Sequence, residues 1–75
     1  MLIFSQNKKF LIDSNVFLFF EIDEDNAIWA NSDSQTDNIE NICLGEYLDE
    51  KTAVKELERL AEALAEDTEK IFRFS

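Results

Sequence analysis

The sequence predicts an α+β fold: a small antiparallel β-sheet of about four to five strands, packed against one C-terminal α-helix, with a short final strand. Three observations carry this reading. Short runs of β-branched and aromatic residues, divided by polar turn residues, occupy residues 2 to 47. One later segment, residues 49 to 66, instead spaces its apolar residues as a helix does. The 75 residues suit a single domain, 1–75, near the size at which one hydrophobic core barely offsets chain entropy.

Leu2-Ile3-Phe4 is short, apolar and β-prone, and Ser5-Gln6-Asn7 behind it reads as a turn. Phe10-Leu11-Ile12 is a second strand, stopped by Asp13-Ser14-Asn15, whose side chains compete for backbone hydrogen bonds. Residues 16 to 22 form the clearest strand of the chain. Alternation places Val16, Leu18, Phe20 and Ile22 on one face and Phe17, Phe19 and Glu21 on the other. Asp23 to Asn26 has the length of a hairpin connection, and Ala27 to Asn31 returns as its partner strand. Residues 31 to 41 are almost wholly polar and read as a mobile loop. Ile42 to Tyr47 resumes β character, with Gly45 marking a kink, a bulge or a close backbone approach.

In the helix, Asp49 is placed to accept from first-turn amides as N-cap, and Glu50 suits the positive end of the dipole. Ala53, Leu57, Leu60, Ala61 and Leu64 make the apolar stripe. Lys51, Lys55, Glu58, Arg59 and Glu62 face outward, with Lys55–Glu58 and Arg59–Glu62 at pairing distance. Glu62, Glu66, Asp67 and Glu69 oppose the dipole at the other end, so the helix is expected to fray around Asp67. Ile71 to Phe74 alternates again and supplies the final strand.

Hydrophobic residues make up 45% of the chain and include seven Phe, a composition that folds rather than one that stays a disordered acidic tail. Cys43 is alone and the chain has no His, so disulfides and a structural zinc are excluded as reinforcement. Self-association is the remaining common route. There is no signal-peptide pattern and no apolar stretch near the ~20 residues a membrane helix needs, which points to the cytoplasm.

Charge is the most directional feature. Seventeen acids against seven bases give a formal charge of −10. Residues 10 to 50 contain no Lys or Arg, while eleven carboxylates fall among them. Such a surface repels bare DNA or RNA and anionic membranes, and fits a basic protein surface, a cation, or solubility alone.

Catalysis is poorly served. Without His, no Ser-His or Cys-His nucleophile pair assembles, and no carboxylate pair is set in an apolar context that would raise a pKa. The expectation is a non-enzymatic protein without metal or cofactor. Asp23-Glu24-Asp25-Asn26 resembles a run of oxygen ligands but joins strands and lacks the central Gly of a calcium loop, and reads as a solvated hairpin tip. An anion held before the helix at Gly45 would meet Glu46, Asp49 and Glu50, so Gly45 reads as a structural bend. Phe17 and Phe19 need cover of their own if the opposite strand face meets the helix, and Trp29 on the neighbouring strand extends that surface. These three are the expected self-association residues of a homodimer; the alternative is a curved sheet that wraps both faces into one core.

Several short patterns together resemble a group of small uncharacterised acidic proteins encoded by phages and prophages of low-GC Gram-positive bacteria. They are Ile3-Phe4-Ser5-Gln6-Asn7, Ile12-Asp13, Leu44-Gly45-Glu46-Tyr47 leading into Glu50-Lys51-Thr52-Ala53, and Lys70-Ile71-Phe72-Arg73-Phe74. Where that group carries Ser-Thr or similar capping residues after the Tyr, this chain has Leu48-Asp49. The resemblance implies a β-rich sheet followed by one helix and a phage-associated setting, and brings no catalytic residue.

The expected function is therefore an acidic binding protein of phage or prophage origin that occupies a basic or nucleic-acid-binding site on a host protein, as a DNA mimic or anti-CRISPR-like inhibitor does. Its binding surface is expected to use Glu21, Asp23, Glu24, Asp25, Glu46, Glu58 and Glu62. Two alternatives stay open. One is an oligomeric, sponge-type small-ligand binder using Phe17, Phe19, Trp29, Tyr47 or Arg73; a phosphate-bearing ligand would need Lys8, Lys9, Lys70 or Arg73 gathered near a cleft. The other is a structural or assembly accessory of a phage.

Overall fold

Local hydrogen bonding decides where each strand stops. The structure, a computed structural model, describes residues 1–17, 19–32, 41–66 and 71–75. Strand β1 (Leu2–Phe4) pairs antiparallel with β2 (Leu11–Asp13) in the register Leu2–Asp13, Ile3–Ile12 and Phe4–Leu11. The turn between them is built by side chains as much as by backbone. The Ser5 hydroxyl donates to Asn7 Oδ1 and accepts from the Phe10 amide, the Lys9 amide also donates to Asn7 Oδ1, and Lys8 takes a positive φ of 65°.

After β2 the chain makes a 3₁₀ turn, Ser14–Val16, instead of entering a long strand. The Asp13 carboxylate accepts from the Asn15 amide and the Phe17 amide donates to the Ser14 carbonyl, which closes the turn. Strand β3 is Phe19–Ile22, and Val16, the start of the predicted 16-to-22 run, lies in the 3₁₀ turn instead. Val16, expected in the core, is exposed, and Phe17, expected opposite the core, packs against it. The expected inward placement of Leu18 lies outside the described residues.

Strands β3, β4 (Ala27–Asn31) and β5 (Ile42–Glu46) form a second antiparallel sheet in the order β3-β4-β5. Asp23 to Asn26 is the hairpin connection that the sequence predicts. Its left-handed position is filled by Asn26 at φ 63°, a residue that tolerates that conformation better than most. Between Ile28 and Trp29 the β4–β5 register slips: Ile28 lies opposite Gly45 and Trp29 opposite Cys43, so Leu44 is the extra residue of a bulge. A Cβ on Gly45 would sit 2.9 Å from the Tyr47 hydroxyl oxygen, so a side chain there requires the Tyr47 ring to shift.

Helix α1 (Glu50–Glu66) begins as the capping residue predicts, with the Thr52 amide donating to Asp49 Oδ1 at 2.7 Å. Its buried positions are Ala53, Glu56 and Leu60, with Leu57, Ala63 and Leu64 half-buried. Ala61, assigned to the stripe from spacing, is exposed. The chain then returns as β6 (Phe72–Arg73), which lies parallel to β1 and completes the first sheet in the order β2-β1-β6.

The protein is thus α+β with one C-terminal helix and a short last strand, its strands shared between two three-stranded sheets. Both sheets and the helix meet in one core of Ile3, Ile12, Ile28, Ala30, Leu44, Leu60, Phe72 and Phe74. Gln6 ties the sheets together: its amide donates to the Leu44 carbonyl at 2.7 Å and its Oε1 accepts from the Glu46 amide at 2.8 Å. The expected mobile loop, apart from its ends, and the expected fraying at Asp67 fall at residues 33–40 and 67–70, outside the described residues. No helix among the described residues is long and apolar enough to cross a membrane.

Candidate functional site

The hairpin between β3 and β4 gathers the acids that the sequence nominates. Asp23 organises it. Its Oδ1 accepts from the amides of Asp25 (2.8 Å) and Ala27 (3.0 Å), and its Oδ2 accepts from the Trp29 indole N–H at 2.7 Å. The Ala27 amide and then the Trp29 indole hold this carboxyl below the usual carboxylate value of 3.8, against an opposing effect of burial, with the Asp25 amide adding the least. Asp23 is therefore an ionised strut whose lone pairs are largely spoken for, and it leaves Glu24 and Asp25 exposed on a fixed turn.

Two strand residues continue the same anionic end. Glu46, the last residue of β5, lies opposite Ala27, immediately beside the hairpin, and is exposed. The following residue, Tyr47, donates its amide to the Asn26 carbonyl, which clamps β5 to the turn. Glu21 lies opposite Trp29 in the β3–β4 register, on the outward face of the second sheet. Glu21, Glu24, Asp25 and Glu46 thus come together on strands and a hydrogen-bonded turn. Glu58 and Glu62 stand elsewhere, exposed on α1 one turn apart.

The residues expected to mediate self-association are divided. Phe19 is 47% exposed, opposite Asn31 at the start of β3. Phe17 is half-buried against the core, and Trp29 is half-buried with its N–H committed to Asp23. Among the three, Phe19 alone presents a freely exposed ring.

Sequence reasoning missed a polar knot on the inner side of the helix. Glu56 is only 6% exposed, and its Oε1 accepts from Arg59 Nη1 at 2.6 Å and from the Ser75 amide at 2.9 Å. Arg59 turns back to Glu56, not forward to the expected Glu62, and also donates to the Arg73 carbonyl while lying 4.9 Å from the Phe72 ring centroid. From the other side, Gln6 Nε2 and the Tyr47 hydroxyl donate to the Ser75 carbonyl oxygen. Burial, reinforced by the Glu56 charge, pushes the Tyr47 phenol up to about 12. The available signal was that Glu56 sits three residues after Ala53 and four before Leu60, inside the apolar stripe.

A cleft of ≈ 130 Å³ opens between the β1–β2 turn and β5, lined by Gln6, Asn7, Phe10, Cys43, Leu44, Gly45 and Glu46. It is well below the roughly 300–1,000 Å³ of ordinary small-molecule sites. Its charged lining residue is Glu46, and burial raises the Cys43 thiol pKa, so the sulfur stays protonated at neutral pH. Of the bases that a phosphate ligand would require, Lys8 and Lys9 lie in the β1–β2 turn and Arg73 lies on β6 against the Phe4 ring. Lys70 lies outside the described residues. Compared with protein-family models, with curated proteins and with solved structures, the chain matches none.

Proposed function

We propose that the chain is a non-enzymatic, cytoplasmic binding protein of phage or prophage origin whose acidic surface occupies a basic, nucleic-acid-binding site on a bacterial host protein. The observation that carries the reading is the placement of Glu21 and Glu46 on paired strands, and of Glu24 and Asp25 on the turn that Asp23 bonds. A polyanion mimic gains from carboxylates held by strands and a bonded turn, because ordering entropy is then lost at folding and not again at binding. Glu58 and Glu62 form a second, helical pair that enlarges the negative field.

Quantitative binding to a basic partner tests the proposal. The probe is a panel of purified host nucleic-acid-binding proteins, with the quadruple variant Glu21→Gln, Glu24→Gln, Asp25→Asn, Glu46→Gln beside the native chain. Asp23 is left intact so that the hairpin keeps its geometry. Native binding that competes with DNA, weakens at 0.5 M salt where screening shortens to about 4 to 5 Å, and disappears in the variant supports the reading. Binding that the variant retains at full strength overturns it.

A further inference from the structure

The first sheet has an outward face that the acidic binding surface does not use. Alternation turns Ile3, Ile12 and Phe72 into the core, and so turns Leu2, Phe4, Leu11, Asp13 and Arg73 the other way. Ile71, one residue before the Ile3–Phe72 pair, continues that outward face beside Leu2. Leu2, Leu11 and Ile71 are 43%, 55% and 39% exposed, and Phe4 is half-buried beneath the Arg73 guanidinium, 5.2 Å from its ring centroid. The register lays these side chains out as two rows across β2, β1 and β6: Asp13, Leu2, Ile71 and then Leu11, Phe4, Arg73. Apolar groups fill four positions, and the single carboxylate and single guanidinium stand at diagonally opposite corners.

That diagonal is self-complementary. A two-fold axis lying between two such faces, perpendicular to the line from Asp13 to Arg73, brings each Asp13 onto the Arg73 of the other copy. It sets Leu11 against Leu11 and Ile71 against Ile71, and brings Leu2 nearest the Leu2, and Phe4 nearest the Phe4, of the other copy. One interface therefore contains the same ion pair twice, as an isologous contact must. The strands of the two sheets cross steeply, which is the orthogonal class of sheet packing.

Charge also selects the occupant. The side chains of the face carry one charge of each sign on a chain whose net charge is −10; Asp13 Oδ1 accepts from the Asn15 amide and lies 3.8 Å from the Met1 ammonium, so a second copy's Arg73 would pair with Oδ2. The end of the second sheet carries Glu21, Glu24, Asp25 and Glu46, and the outer side of the helix carries Glu50, Glu58, Glu62 and Glu66 against Lys51 and Lys55. Two copies meeting by either of those surfaces juxtapose like charges, whereas the outward face of the first sheet brings apolar groups and opposite charges together. A basic partner has no electrostatic reason to prefer it.

We propose that the outward face of the first sheet, Leu2, Phe4, Leu11 and Ile71 with Asp13 and Arg73, is a self-association surface that pairs two copies of this chain about a two-fold axis. Six side chains cover much less than the roughly 800 Å² per partner of a standard stable interface, so the dimer is weak and fills at concentrations above roughly 0.1 mM. The acidic hairpins lie on the other sheet and stay free in the pair, which presents two copies of the anionic site.

Sedimentation equilibrium up to about 1 mM reads the dimer directly at the concentrations where a small interface fills. The native chain should approach twice its monomer mass. Leu11→Glu, at the most exposed apolar position of the face, should remain monomeric with an unchanged circular dichroism spectrum. Arg73→Glu should weaken pairing about tenfold through two lost ion pairs and two new repulsions, and adding Asp13→Arg should restore it. Phe19→Glu, on the other sheet, should leave the mass of the native dimer unchanged. A native chain that stays monomeric at the highest concentration overturns the proposal, as does a dimer that survives Leu11→Glu or is broken by Phe19→Glu. Should the double charge swap lower the unfolding temperature, Leu11→Glu alone still decides.

Discussion

Replacing Glu56 by Ala isolates the polar knot that fastens the last residues to the helix. Two bonds end on Glu56 Oε1, from Arg59 at 2.6 Å and from the Ser75 amide at 2.9 Å. A hydrogen bond to a charged group contributes about 1.5–3 kcal/mol when both partners are sheltered. Arg59 is 44% exposed, so its half of the knot is screened and falls to about 0.2–1 kcal/mol. Ala is a slightly better helix former than Glu, which returns a few tenths of a kcal/mol. The balance is a loss of about 2 kcal/mol, or a fall in Tm of roughly 8–15 °C for a domain of this size. Urea and thermal unfolding, followed by far-ultraviolet circular dichroism, measure it. Glu56→Gln keeps an acceptor and removes only the charge, so it should lose less than half as much. Leu60→Ala calibrates the scale at about 2–5 kcal/mol, because Leu60 is fully buried. A Glu56→Ala chain within about 0.5 kcal/mol of native would refute the reasoning, since that is the spread of ordinary surface changes. Because β6 carries Arg73 and follows Ile71, the same substitution should also weaken dimer formation.

Acid titration should uncouple the hairpin. Asp23 has a lowered folded pKa, so its contribution is complete above the ordinary value of 3.8 and is lost as pH falls through the lower folded value. The fluorescence of the single Trp should change in that window below 3.8, and Asp23→Asn should abolish the change. At the alkaline end the sign reverses for Tyr47: its pKa is raised from 10.0 to about 12, so the associated stability is intact below 10 and is lost as pH approaches 12. Tyrosinate absorbance reads this cleanly, because the chain has one Tyr. Gly45→Ala places a methyl 2.9 Å from the Tyr47 hydroxyl oxygen and should displace the ring, bringing that titration back toward 10. Finally, Val16→Thr should change stability by less than about 0.5 kcal/mol, whereas Phe17→Ala should cost about 2 kcal/mol, below the range of a fully buried Phe; denaturant midpoints compare them.

The two Phe faces show where pattern reading stops. Period-2 alternation from Val16 to Ile22 is real in the sequence, but it assumes an unbroken strand. A capped 3₁₀ turn at Ser14–Val16 shifts the phase ahead of Phe19, and so Val16 and Phe17 exchange their expected environments. The signal for the turn was present in Asp13-Ser14-Asn15, and it outcompeted the strand propensity of the apolar residues that follow. The candidate site was legible as a run of acids, yet not as a built structure. Nothing in the spacing of Asp23 and Trp29 announces that one indole N–H will engage that carboxylate, since the contact needs the hairpin to close first.

Sequence alone determined the class of this protein: strands first, one amphipathic helix with Asp49 as its cap, a returning strand, and a long acidic interval without a base. Those features follow from local periodicity, capping and charge, which act over a few residues. Tertiary structure alone decided that the strands divide between two sheets, that β6 lies parallel to β1, that Glu56 accepts from the distant Ser75 amide, and that Asp13 and Arg73 take opposite corners of one outward face. Each of these joins residues far apart in the chain. Their pairing is set by which burial and hydrogen-bond satisfaction the whole fold achieves together, a quantity that no short window of sequence contains.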